Sequence, residues 1–180
     1  INKLLGRKPR QEGQQITEDE FLNKEFKQIS LEKLNCDSTV ISVLNQRLEE
    51  IKHCLSAKAS LAVIFLCGSV LEGILLSIAI KKPKEFNQSS ASPKKEGKVL
   101  QFHEWTLNNF IEVAYSLGLL KEDVKKFSHA LRDFRNYIHP YQQLASRFNP
   151  DEYTARICWQ VLQAAIYQLS MNRNIYDPHL

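Results

Sequence analysis

Residues 61–80, LAVIFLCGSVLEGILLSIAI, constrain this chain more than any other stretch. A helix apolar on every side is either a bilayer span or the central rod of a helical core. The length, and the basic flank of Lys81, Lys82 and Lys84, would suit a membrane-anchored span with a cytoplasmic end. Glu72 near the middle argues otherwise, because such a charge at the bilayer centre costs about 2.5–3.5 kcal/mol. No second apolar run of that length is present to shelter it. The expectation is a buried core helix, with Glu72 facing a partner and no membrane association.

The rest of the chain supplies amphipathic partners for that rod. Thr17 and Glu20 have capping-box spacing and predict a short helix to about Ile29. After Asp37 and Ser38 come Ile41, Leu44, Leu48, Ile51 and Leu55 at intervals of three and four. Leu107, Phe110, Ile111, Ala114 and Leu117 mark another helix, ended by Gly118 as a left-handed cap. Val124, Phe127, Leu131, Phe134 and Ile138 form the next stripe, which Pro140 is expected to stop. A last helix is expected to open with Asn149 as cap, Pro150 in the first turn, then Asp151 and Glu152. Its apolar face is Cys158, Val161, Leu162, Ala165 and Leu169.

With only 6 Gly and 6 Pro, and no strand pattern of useful length, the expected fold class is all-α. The expected architecture is a helical bundle of four main helices plus a short N-terminal helix. Residues 1–16 read as a linker or tail from an upstream region, 17–172 as the helical domain, and 173–180 as a C-terminal tail. Residues 81–100, with Lys81, Lys82, Lys84, Lys94, Lys95 and Lys98, read as a flexible basic loop.

A formal net charge of +4 is too small to make the chain a nucleic-acid binder on charge alone. Cys36, Cys54, Cys67 and Cys158 contain no CxxC pair and no Cys/His ligand spacing, so no structural zinc, other metal or cofactor is expected. Three of the four lie in apolar helical surroundings, as buried thiols of a reducing, cytoplasmic compartment would.

The stretch able to carry chemistry is residues 131–141, LRDFRNYIHPY. On a continuous helix Arg135, Asn136 and His139 fall at roughly −60°, +40° and −20° from Arg132, on one face flanking the apolar stripe. Two guanidinium forks suit phosphate oxygens, and an imidazole exchanges protons near neutral pH. RNA brings its own 2′-hydroxyl nucleophile, so such a set would need no bound metal. Arg47 and His53 have similar spacing, but ideal geometry sets them about 120° apart and no helix stop follows. The plainer alternative makes Arg132 and Arg135 snorkelling surface residues and His139 a C-terminal cap favoured by the helix dipole.

This segment resembles the HEPN superfamily, helical bundles whose active members carry an arginine, a polar residue and a histidine about four to six residues on. Arg132-Asp133 with His139 fits, with six residues between; Arg135-Asn136 has the commoner Arg-Asn form but leaves three. Either arginine can be the family's. The helix order is also similar across residues 38–172, from the apolar helix with Leu71-Glu72-Gly73 through the helix ending at Gly118 to the motif and final helices.

The resemblance implies a metal-independent endoribonuclease of a defence or toxin–antitoxin system, with His139 acting on the 2′-hydroxyl. Arg132 or Arg135 would hold the phosphate, and Asn136 would orient them. It also implies a homodimer with two motifs facing each other, an RNA substrate, and a protein partner such as an antitoxin. The competing reading is a non-catalytic module for dimerisation or for binding a partner protein or nucleotide. Glu72 is expected to salt-bridge within the bundle in preference to orienting a motif arginine. Trp105, Trp159 and Tyr137 are expected in the core in preference to stacking on bases. His103, His129 and His179 show no recognisable partners in the sequence.

Overall fold

The computed structural model describes residues 26, 30–34, 36–135, 139–147 and 149–172, without the side chains of 130 and 132–135. The expected helix from Thr17 to Ile29, the linker at 1–16 and the tail at 173–180 lie outside the described residues, apart from Phe26.

The fold is all-α. Helix α1 is Ser38–Ser56, α2 Ser60–Lys81, α3 Pro83–Gln88, α4 Leu107–Ser116, α5 Glu122–Arg135, α6 Pro140–Ser146 and α7 Glu152–Met171. Five of these have ten or more residues, one more than the expected four; 107–116 and 122–135, whose apolar stripes are separate in the sequence, are two helices. A turn then divides them at Gly118, whose φ of +69° is the left-handed value expected of it.

Helix α2 is the central element and packs against α1, α4, α5 and α7. Val63, Ile64, Cys67, Val70, Leu71, Ile74 and Leu75 are fully buried on it. At about 1.5–3 kcal/mol for each fully buried large aliphatic side chain, this helix is the main apolar contribution to the fold. It is long and apolar enough to cross a membrane, and just over half of its most apolar stretch, 56%, is buried within the protein. Gly73 faces α1 so closely that a Cβ there would meet Leu44 Cδ2 at 3.2 Å, so the Leu71-Glu72-Gly73 step serves helix packing.

The polar residues that begin the helices act where local chemistry needs them. Asp37 caps α1 by accepting from the backbone N–H of Thr39 at 2.9 Å. Asp151, and not Asn149, caps α7, accepting from Thr154 N and Oγ1 at 2.8 Å each. Those bonds from the Thr154 backbone and hydroxyl hold the Asp151 carboxyl below the usual range. Pro150 therefore precedes the helix instead of lying in its first turn.

The stretch 81–100, expected as a loop, holds α3 and a two-stranded hairpin, β1 (Lys94–Lys95) and β2 (Lys98–Val99). Glu96 (φ 52°) and Gly97 (φ 78°) form its two-residue turn, both in the left-handed region that matches strand twist. Its base is closed by Leu100 N donating to the Pro93 carbonyl at 3.0 Å. Ser89 and Ser116 share a 2.5 Å hydroxyl contact that ties the segment to α4. Phe86, Phe102, Trp105 and Phe110 pack ring on ring beneath it, with Trp105 Nε1 donating to the Leu100 carbonyl at 2.9 Å. Trp105 is thus a core residue, as expected, and it is 4% exposed.

Candidate functional site

The chemistry-bearing stretch begins on the last turn of α5. The backbone of Arg132 and Arg135 belongs to that turn; their side chains, and Asn136 and Tyr137 entirely, lie outside the described residues. His139 does not continue the helix. Its backbone is extended (φ −82°, ψ 117°), and it stands as the N-terminal cap residue of α6, with its carbonyl accepting from Gln143 N at 3.0 Å. The cause is Pro140, which disfavours helical geometry at the residue before it and then occupies the first position of a new helix. Two expectations change. The single helical face does not extend to His139, and His139 is not a C-terminal cap. Pro140 begins a helix of its own, α6.

The His139 side chain is exposed, and it makes no hydrogen bond or ion pair with any described residue. Beside it α6 presents Tyr141, 86% exposed, and Leu144, 75% exposed.

A polar cluster missed by the sequence reading lies between α4 and α5. Glu112 accepts from Lys125 Nζ at 2.9 Å and from His129 Nε2 at 2.9 Å. Lys125 also stands 4.3 Å over the Tyr115 ring. Burial pushes the Glu112 carboxyl up, but the bonds and charges of Lys125 and His129 outweigh it, and the net direction is down. His129 Nδ1 and Ser128 Oγ are buried without a hydrogen-bond partner among the described residues. The signal available in the sequence was spacing: Lys125 and His129 are one helical turn apart, as are Glu112 and Tyr115 on the facing helix.

These contacts fix how the helices run. Residues 117–121 join α4 to α5, so the two are antiparallel, with Glu112 level with 125–129. By that register the described end of α5 stands level with the N-terminal end of α4.

The remaining candidates lie on other elements. Arg47 is half-buried and hydrogen-bonds Ser69 on α2, while His53 is exposed, so they form no pair. Glu72 is half-buried and engaged in an interaction of its own. His103 is exposed, and His179 lies outside the described residues. All four cysteines are free thiols. Cys67 and Cys158 are buried, and burial pushes Cys158 up to about 12 and Cys67 well above its ordinary value, so neither offers a thiolate. Cys36 and Cys54 are half-buried.

A cavity of about 350 Å³ opens between the end of α1 and the starts of α2 and α7, lined by Leu55, Val63, Arg156 and Trp159. Lys58 and Glu152 bridge at 3.0 Å on its wall. Among the described residues that line it, His139 does not appear. Among the described residues, no group of three or more His, Cys, Asp or Glu side chains is placed to hold a metal ion.

Comparisons with protein-family models, with curated proteins and with solved structures find no match for this chain.

Proposed function

We propose that the chain is a metal-independent endoribonuclease of the HEPN type. The observation that carries this reading is the exposed imidazole of His139, unengaged by any described residue, at a proline-made break four residues past Arg135. A histidine fixed for structural reasons would be expected to have a partner, as His129 has. In the proposed reaction the 2′-hydroxyl oxygen attacks the adjacent phosphorus and the bond from phosphorus to the 5′-oxygen breaks. His139 takes the 2′-hydroxyl proton or delivers one to the departing 5′-oxygen. Arg132 or Arg135 offsets the charge that builds on the phosphoryl oxygens, and Asn136 orients the set. A homodimer with facing motifs would supply both proton-transfer roles.

The products follow from the chemistry: a 2′,3′-cyclic phosphate and a 5′-hydroxyl. The test is incubation of the chain with RNA in EDTA, followed by end-group analysis. Cleavage with those ends, abolished by 2′-deoxy substitution at the cut nucleotide, supports the reading. Absence of cleavage by the dimer, or cleavage of the 2′-deoxy substrate, overturns it.

A second reading is favoured by the exposed Tyr141 and Leu144 on α6: a non-catalytic module whose α6 face meets a second copy or a partner protein. It predicts self-association or partner uptake that survives His139→Ala and Arg132→Ala and is lost in Leu144→Asp.

A further inference from the structure

The 94–99 hairpin is a cationic finger. Lys94, Lys95 and Lys98 are exposed, and none makes an ion pair or hydrogen bond among the described residues. Lys95 and Lys98 are direct cross-strand partners, a like-charge pairing that weakens a hairpin in water. The acidic groups around it do not neutralise it. Glu104 is taken up by the Gln101 backbone N–H at 3.0 Å, Glu85 pairs with Lys82 at 3.9 Å, and Glu96 occupies the turn.

A two-stranded hairpin this short does not hold by itself. Here it is held from below by the Pro93–Leu100 closure, by Ser92 Oγ donating to the Phe86 carbonyl at 2.5 Å, and by Trp105. The fold thus maintains opposed lysines that repel each other unless an anion lies between or across them. Trp105, which carries the hairpin, opens the run into α4, whose N-terminal end stands level with the described end of α5.

We infer that the hairpin is a contact for the RNA backbone, holding the strand that the α5–α6 break acts on. This rests on the ribonuclease reading for its destination, but the contact itself is measurable without cleavage. Lysine serves here as a point charge against phosphate, so the contact carries no base preference and weakens with salt.

The probe is a fluorescent single-stranded oligouridine, titrated with the His139→Ala chain across about 50–200 mM salt. The hairpin triple Lys94→Gln/Lys95→Gln/Lys98→Gln is expected to flatten the log–log salt slope by about 2 and weaken binding about tenfold or more. The matched triple Lys33→Gln/Lys121→Gln/Lys126→Gln is expected to leave the slope nearly unchanged. The Lys→Arg hairpin triple should keep the slope, which separates lost charge from a lost fold. An unchanged slope in the hairpin triple, equal losses in both Gln triples, or no RNA binding overturns the inference. So does hairpin-dependent binding to phosphatidylserine vesicles with none to RNA. Hairpin-dependent RNA binding by a chain that never cleaves RNA overturns only the nuclease reading. Cleavage with kcat/KM unchanged in the hairpin triple overturns only the hairpin inference.

Discussion

His129 and His139 lie ten residues apart and live under opposite conditions. His129 is inside α5, one-quarter exposed, with Nε2 against Glu112 and Nδ1 buried. His139 is past the end of that helix, exposed, with no partner among the described residues. Within α5, Lys125 and His129 both hold Glu112 of α4, whereas no described residue holds His139. The sequence sets His139 apart by its motif and leaves His129 without a recognisable partner; the structure supplies that partner, Glu112, and leaves His139 exposed.

The comparison can be broken most forcefully from the held side. Leu131 is 1% exposed and lies one turn before the end of α5. Leu131→Ala should cost about 2–5 kcal/mol of stability, read by urea or thermal unfolding. A cost under about 1 kcal/mol would mean that the α5 end is not packed as described.

Ser128→Ala should move the other way. The hydroxyl is fully buried with no hydrogen-bond partner among the described residues, so its removal should stabilise the chain by about 1 kcal/mol. Destabilisation of that size would indicate that the hydroxyl is engaged after all.

The smallest effect is expected at Glu112. Glu112→Gln keeps the shape and removes the charge; with the pair one-quarter to one-third exposed, the loss should be about 0.5–1 kcal/mol at neutral pH. Because the folded-state pKa of this carboxyl is lowered, its contribution is present above the unfolded carboxylate range near pH 4.3 and is lost as pH falls through the folded value. Wild type and Glu112→Gln should therefore differ in stability at pH 7 and converge in acid, once pH has fallen below the folded value. A gap that persists undiminished in acid would assign the effect to packing.

Much of the helical core was legible because periodic apolar residues report burial directly. Ile41, Leu44, Leu48, Ile51 and Leu55 all face inward, as do Cys158, Val161, Leu162, Ala165 and Leu169. Gly118 was legible because a positive φ after a helix favours glycine. Proline and the stretch around it were harder to read. Pro83 and Pro140 both begin helices too short to carry a periodic signal, so α3 and α6 did not show. The hairpin was hidden by composition, since its strands are two residues each and its stability comes from the aromatic rings beneath it. The Glu112, Lys125 and His129 contacts needed the register between two helices, which spacing within one helix does not supply. At the motif, residue types pointed to the chemistry, but a wheel drawn through residue 139 overlooked what Pro140 does to His139.

The most direct test sets the two histidines side by side: rates of RNA cleavage in EDTA for wild type, His129→Ala and His139→Ala, each checked for folding. The account predicts that His139→Ala lowers the rate by about a hundredfold or more with its unfolding temperature unchanged, while His129→Ala keeps the rate within a few-fold. Equal rates in wild type and His139→Ala, or a larger loss in His129→Ala, would contradict it.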